Sequence, residues 1–517
     1  MKVLLVAINY SWSIGFENLG IERISAFLKL NNYNVEVIYL YETDSIQDNL
    51  NKLNICDDSI IGFSVYSQNL EYASRIANEI KNKNQKNIIF WGSRFVSDCA
   101  IPLAEKYGQI IDFFVLGHGE YSILDFLNKY IEKKSIDEII KSNPNLLSYN
   151  NKENKFALNI NINELPWPER NFLLNHKSLH AYIADAHDCT GRCSFCSGNT
   201  THWTGRNAQD IYDEVISVYN KTKIRSYFFT SGSFEDPGKK GKEKIKQFCE
   251  IVLSNKIRFA FGCYLRAETF HNTKEDLSLL RLMKKAGFYN VFVGIEAGNK
   301  DDLILFNKRA TLEDNYRSLE LFKNVEIFNN YGFIMINPYS TEENLESNYN
   351  FLVSDNNFLL QRYINILCVY YNTPIYHKMK SEGLLTANYS YDKIYEYVPK
   401  EKSIELIINF ITDYFAPFSK IMKEYIKFTD NVHFYYFTKT LIDSISSDIN
   451  LNMDVQKIFT DISITLKNYF YKLYVERNID HCIKDFSSFE EELLFHFHSF
   501  EKIKNKSLLP KYIRANH

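Results

Sequence analysis

The run His187-Asp188-Cys189-Thr190-Gly191-Arg192-Cys193-Ser194-Phe195-Cys196-Ser197-Gly198 decides how this chain is read. Its three cysteines follow the spacing C-x-x-x-C-x-x-C. Three thiolates this close in sequence can converge on one iron–sulfur cluster. Three ligands for four irons leave one iron open to bind and cleave something. A structural zinc site needs a fourth ligand, usually from a second C-x-x-C or a His pair. No second such cysteine pair exists, and only His187 and His202 are near enough in sequence for a mixed site. The open cluster is therefore the leading reading, ahead of zinc, with disulfide chemistry behind both.

Working outward, Ala181–Ala186 reads as a strand that runs straight into the cysteine loop. That places the cluster at the carboxyl end of a strand, where barrel active sites form. Further strands are predicted at Ser226–Thr230, Arg258–Tyr264, Asn290–Val293, Tyr331–Ile336 and Tyr363–Tyr370. Helical runs such as Ala208–Tyr219, Leu277–Ala286 and Leu312–Phe322 separate them, giving six strand–helix units over residues 179–392. Polar residues close several strands: Thr230-Ser231-Gly232-Ser233, Arg266 in Tyr-Leu-Arg-Ala-Glu, and Glu296 in Val-Gly-Ile-Glu-Ala-Gly. The fixed donor fork of Arg266 suits a carboxylate, and an ion pair with Glu268 is the structural alternative. Glu296 suits an amine or ribose hydroxyls, against a carboxylate that caps the next helix.

Upstream, residues 1–135 alternate short apolar runs (Val3–Asn9, Val35–Tyr41, Ile60–Tyr66, Ile88–Trp91, Phe113–Leu116) with amphipathic ones such as Ile21–Leu30 and Leu70–Lys81. This is the pattern of a doubly wound α/β sheet, whose ligands bind at the carboxyl ends of the strands. Gly92, Gly117 and Gly119 lie in loops there and allow close backbone approach to a bulky ligand. Residues 136–178 read as an irregular linker ending in Glu164-Leu165-Pro166-Trp167-Pro168-Glu169-Arg170. Residues 393–517 read as a helical, aromatic-rich domain that covers the open side of the barrel and shapes the substrate pocket. Its His496 and His498 stand two apart and diverge on a helix.

Bulk properties exclude other classes. Sixty basic residues against 63 acidic ones leave no polybasic surface, so neither nucleic acid nor a membrane is an expected partner. No apolar run spans a bilayer and no signal peptide precedes the first strand, which places the chain in the cytoplasm. The remaining cysteines (Cys56, Cys99, Cys249, Cys263, Cys368, Cys482) read as small core residues.

Over about its first 390 residues the chain resembles the radical S-adenosylmethionine enzymes that carry a cobalamin-binding domain. The resemblance lies in the cysteine triplet with Phe195 before its last member and in Gly117-His118-Gly119-Glu120, similar to a Gly-x-Gly-Glu after the fifth strand. It continues in the Leu-Pro-x-Pro-x-Arg junction, Gly294-Ile295-Glu296-Ala297-Gly298, Asn337-Pro338-Tyr339-Ser340-Thr341 and Thr373-Pro374-Ile375-Tyr376…Glu382-Gly383. It implies an α/β fold: an N-terminal Rossmann-like cobalamin domain, a central partial (β/α)6 barrel and a C-terminal mainly helical domain. It also implies a [4Fe–4S] cluster on Cys189, Cys193 and Cys196, S-adenosylmethionine on its open iron, and cobalamin. Phe195 then lies near the adenine or anchors the loop, and Ser231 and Gly232 meet the methionine amine. Ser340 or Thr341 caps the helix after its turn. Gly92, Gly117, Gly119 and Glu120 contact the corrinoid, with the His118 turn near its nucleotide tail. Two departures stand out. The cobalt-ligating Asp-x-His-x-x-Gly is absent, its loop reading Tyr10-Ser11-Trp12-Ser13-Ile14-Gly15, and Thr230-Ser231-Gly232-Ser233 replaces the usual Gly-Gly-Glu.

The implied chemistry is reductive cleavage of S-adenosylmethionine to a 5′-deoxyadenosyl radical, which takes hydrogen from an unactivated carbon. An external one-electron reductant such as a flavodoxin or ferredoxin supplies the electron. The leading expectation is cobalamin-assisted C-methylation of a peptide or other small natural product. The alternatives are a radical rearrangement, cyclisation or oxidation without methyl transfer, and a non-catalytic corrinoid- or cluster-binding sensor or electron carrier.

Overall fold

A computed structural model describes residues 2–10, 16–56, 58–153, 160–176, 178–198 and 202–516. The first sheet contains β1 (Val3–Asn9), β2 (Val35–Tyr41), β3 (Ile60–Ser64), β4 (Ile88–Gly92), β5 (Phe113–Val115) and β6 (Leu146–Leu147). Their order is β2-β1-β3-β4-β5-β6, parallel except for β6. The period-two alternation of β1 explains the double winding. Leu4, Val6 and Ile8 join a core with Ile76 and Ile80, while Val3 and Leu5 join a second core with Leu28 and Phe126. The strand order reverses at β1, so the crevice for a ligand opens at the carboxyl ends of β1 and β3. Asn18 caps the helix Leu19–Leu30 and donates from Nδ2 to Ser64 Oγ at 2.9 Å, tying that helix to the end of β3. The stretch after residue 135, expected as irregular linker, instead adds the helix Ile136–Ser142 and β6 to this sheet. Its Ser135–Glu138 capping box was the local signal for that helix.

The second sheet is built from β7 (His180–Ile183), then β10 (Ser226–Phe229), β11 (Ala260–Arg266) and β12 (Phe288–Glu296), followed by the short β13 (Phe328–Asn329) and β14 (Gly332–Phe333). These strands are parallel in the order β13-β12-β11-β10-β7, with β14 also on β12. Tyr227, Phe229, Phe261, Val291, Val293 and Ile295 are buried against the outer helices. The alternate residues face the barrel interior. Between β7 and β10, β8 (Ala186–His187) pairs antiparallel with β9 (Thr204–Gly205) and pins both ends of the cysteine loop.

The sixth predicted strand, Tyr363–Tyr370, does not form as such. Gln361–Ile364 is helical, and the following segment meets the barrel through a single bridge between Ile366 and Ile336. Packing explains it: Tyr363 is fully buried and stacks on Phe470 at 4.9 Å, which holds the segment against the C-terminal helices. Thr341 caps the helix Glu342–Ser354, as the sequence suggested. Cys56 is exposed rather than a core residue, and Cys368 donates to Tyr395 Oη at 2.9 Å.

The C-terminal segment is helical. Long helices Lys420–Leu441, Ile449–Tyr474 and Ile479–Ile503 pack through aromatic rings such as Phe428–Phe497 at 4.5 Å and Tyr469–Phe489 at 3.8 Å. They do not simply cover the barrel's open side. Phe437 meets His180 and Tyr289, and Tyr436 stacks on Phe328, so the helix Lys420–Leu441 lies across the amino-terminal ends of β7, β12 and β13. That is the end opposite the cysteine loop. No described helix is long and apolar enough to cross a membrane.

Arg170 joins the first sheet to the barrel. Its guanidinium is 2% exposed and bonds Glu17 at 2.8 Å, Glu214 at 2.6 Å and Tyr182 O at 2.7 Å. Glu22 accepts from the backbone N–H groups of Asn171 and Phe172 at 2.8 and 2.9 Å, capping the short helix that follows.

Candidate cluster and cofactor site

The cysteine loop is clamped from two sides. On one side Asp236 accepts from Thr190 N and Oγ1 at 2.9 and 2.7 Å and from Arg266 Nη2. Arg266 Nη1 donates to Thr190 Oγ1 at 2.9 Å, and Nε faces Glu235 at 3.4 Å and Glu268 at 3.8 Å. On the other side Ser194 N donates to Phe306 O at 2.9 Å, Ser194 Oγ to Leu305 O at 2.7 Å, and Asn307 Nδ2 to Arg192 O at 2.7 Å. Ile375 N donates to Ser194 O at 3.0 Å, so the helix Pro374–Ser381 braces the loop as well.

The three cysteines form no disulfide and are partly exposed. Gly191 N donates to Cys189 Sγ at 3.3 Å and Gly198 N to Cys196 Sγ at 3.2 Å. Such N–H···S contacts suit thiolates that hold a cluster and tune its potential. Burial pushes the Cys189 thiol up to about 11 and raises that of Cys193, so protons must leave when a metal binds. Among the described residues, no three His, Cys, Asp or Glu side chains close to the spacing of ligands on a single ion. Three thiolates in one loop are the donor set of a cluster that keeps one iron open, whereas a structural zinc takes four ligands. The zinc alternative loses its nearest histidine too. Arg23 Nη1 donates to His187 Nε2 at 2.8 Å, which makes Nε2 an acceptor.

The remaining predicted residues fall as follows. Phe195 meets Phe306 edge-on at 5.3 Å and joins an apolar cluster, the loop-anchor arrangement. Ser231 donates from Oγ to Asp185 at 2.7 Å and from N at 3.1 Å, so both donors are already used. A Cβ on Gly232 would stand 3.0 Å from Cys189 Cβ, so glycine lets this strand end lie against the loop. Arg266 has its fork filled by Asp236 and Thr190 and faces three acids, a surrounding that suits loop positioning rather than an incoming carboxylate. Glu296 does not cap a helix. It sits at φ 67°, a region non-glycine residues seldom adopt, and faces Lys308 at 3.8 Å on the same rim. Burial raises its carboxyl while Lys308 lowers it.

Glu235 and Asp236 were not singled out from sequence. Their signal was local: two acids three and four residues past Gly232, both wholly buried here.

At the first sheet's carboxyl edge, Asn9 is buried and its Nδ2 has no hydrogen-bond partner among the described residues. A Cβ on Gly92 would stand in ordinary contact with Val115 Cβ at 3.6 Å, so packing does not demand glycine there. Gly117 sits at φ 69° and donates to Ser97 Oγ at 2.8 Å. The free Asn9 Nδ2 suits a ligand that brings an acceptor to this edge, as the amide-bearing rim of a corrinoid would. Gly119 serves helix packing instead, since a Cβ there would meet Ile24 at 2.9 Å. Glu120 is buried and interacts with Arg23. His118 stacks on His187 with ring centroids 4.0 Å apart, and Arg94 stands 3.9 Å from Asp188. The first sheet's edge and the cysteine loop therefore meet. Of the loop that lacks the cobalt-ligating His, residues 11–15 lie outside the described residues.

Comparison with known proteins agrees with this geometry. Residues 185–352 match the Radical SAM superfamily model. Hopanoid C-3 methylase of Methylococcus capsulatus is 24% identical over 319 residues, covering 60% of this chain and 59% of the relative. An anaerobic magnesium-protoporphyrin IX monomethyl ester cyclase of Rubrivivax gelatinosus is 25% identical over 374 residues, covering 68% and 65%. This chain thus spans less than two thirds of either relative. The solved structure of the cobalamin-dependent S-adenosylmethionine radical enzyme OxsB, with aqua-cobalamin and S-adenosylmethionine bound, superposes with a TM-score of 0.72 at 18% identity. It covers 100% of this chain and 80% of that one, a likeness of fold.

Proposed function

Since this chain carries a radical S-adenosylmethionine domain, we propose that it is a cobalamin-associated radical enzyme that C-methylates an unactivated carbon of a peptide or other natural product. The observation behind this reading is the contact of His118 with His187, which sets the first sheet's ligand edge against the cysteine loop. Cofactors held at those two edges would share a single active site.

Cys189, Cys193 and Cys196 hold the [4Fe–4S] cluster. When bound, the cluster supplies the electron that cleaves S-adenosylmethionine, and cobalamin supplies a methyl carrier. Asp236 and Arg266 fix the loop's register, and Asn307 holds its far side. Glu296, balanced by Lys308, presents acceptors to the amine or ribose hydroxyls of S-adenosylmethionine. Asn9, with its buried Nδ2 unpartnered among the described residues, would donate to an acceptor of the corrinoid, and Gly92 and Gly117 would line the same edge. Phe195 and Phe306 exclude water from one flank of the loop.

The relative named as a cyclase supports a second reading, radical ring formation or oxidation without methyl transfer. Anaerobically reconstituted protein, given cobalamin, a reductant and methyl-labelled S-adenosylmethionine, separates the two. Formation of 5′-deoxyadenosine with label passed through the corrinoid into the product supports methylation. Deoxyadenosine without any label on corrinoid or product favours the second reading. Absence of deoxyadenosine overturns both.

A further inference from the structure

Below the cysteine loop, inward-facing rings form a belt across adjacent strands. Phe228 of β10 stands 5.0 Å from Tyr264 of β11, which stands 5.4 Å from Phe292 of β12. Tyr182 of β7 is 6.5 Å from Phe228 and 5.6 Å from Phe16. The register is built for these rings. A Cβ on Gly262 would fall 2.5 Å from the Phe228 ring, and one on Gly332 would fall 3.0 Å from that of Phe292. Yet the belt is not covered: Phe16 is 48% and Tyr264 37% exposed. Apolar surface left open inside a barrel is free to bury an apolar ligand.

From Phe292 and Gly332 a cavity of about 300 Å³ leads to Arg362 and His433. Arg362 is 6% exposed and lies 3.3 Å over the Tyr331 ring. It donates to Asn357 Oδ1 at 2.6 Å and Asn329 O at 3.2 Å, which leaves further N–H donors unused. Among the described residues no carboxylate forms an ion pair with it. Asp355 acts on it only through space and is itself bonded to Tyr331 Oη at 2.9 Å. Beside this floor Asn290 is 4% exposed with Oδ1 unpartnered, and both amide atoms of Asn329 are buried without partners. Burial holds His433 and His180 down at about 4, so near neutral pH they add no charge and Arg362 is the cation of the floor.

We infer that the barrel interior binds a substrate with a flat apolar body and one acidic end, the body lying on the Tyr182–Phe228–Tyr264–Phe292 belt and the acid directed to Arg362. This rests on the radical reading above, because the belt lies under the rim that carries Glu296 and the cysteine loop. The carbon attacked therefore belongs to the apolar body. Glu296 lies close to Gly332 at the near end of the cavity and disfavours the reversed pose.

Two fluorescent probes test this on the full chain without cluster or S-adenosylmethionine. Anilinonaphthalene sulfonate has a flat apolar body and one anion; N-phenylnaphthylamine has the body alone. R362Q weakens the sulfonate about tenfold, the worth of a charge-assisted hydrogen bond, and leaves the neutral probe unchanged. F228L and F292L weaken both, while F495A, on an exposed helix face, weakens neither. Retained neutral-probe binding in R362Q also shows that its cavity is intact. Equal sulfonate affinity in R362Q and the parent overturns the acidic end, and unchanged affinities in both belt variants overturn the site. Failure of the radical reading shows separately, as absence of deoxyadenosine.

Discussion

Asp236 carries more of the cysteine loop than any neighbouring side chain, through two bonds to Thr190 and one to Arg266. Asp236→Ala is expected to lower bound iron several-fold after reconstitution while far-ultraviolet circular dichroism stays unchanged. Full iron loading in that variant would contradict the positioning role. At this scale the cysteines were legible because their spacing is itself the chemical signal. Asp236 and Glu235 were not, because an acid in a loop reads as solvated until the fold buries it. Arg266 was legible as an anion binder, but its anions proved to be the chain's own carboxylates.

The helix Lys420–Leu441 links element packing to pH. It places His433 beside Asn290, with Nδ1 3.4 Å from Nδ2, and near His180 and Phe328. Burial depresses both imidazoles from 6.5 to about 4 in the fold, so the unfolded chain takes up their protons first. Stability present above about pH 6.5 is therefore lost as the pH falls toward about 4. Urea midpoints measured across this window are expected to fall, and His433→Asn to reduce the fall. An identical slope in that variant would contradict the assignment. Strands β7, β10, β11 and β12 were legible from their apolar runs, and the helices from their amphipathic period. The segment 363–370 was not, because its apolar residues bury equally well in a strand or against another helix, and Tyr363 chose Phe470.

The whole molecule depends on holding its ligand edge against its cysteine loop, and Arg170 is the rivet. Arg170→Met strands Glu17 without its cation, leaves Glu214 to Arg206 alone, and is expected to cost about 3–5 kcal/mol in urea unfolding. A loss below about 1 kcal/mol would show that the junction is held elsewhere. The proline-rich stretch before Arg170 marked this junction in sequence, although the first sheet takes in residues up to Leu147 that composition assigned to the linker. The substrate cavity was not legible at all, since it forms where β12, β14 and a helix more than 80 residues later converge.

The central claim is that Cys189, Cys193 and Cys196 together hold a cluster with one open iron. Electron paramagnetic resonance of anaerobically reconstituted, reduced protein tests it most directly, recorded with and without S-adenosylmethionine. The expected result is a reduced [4Fe–4S] signal, about four irons per chain, that changes on adding S-adenosylmethionine and is lost in the triple Cys→Ala variant. A colourless protein carrying about one zinc, or a cluster signal indifferent to S-adenosylmethionine, would contradict it.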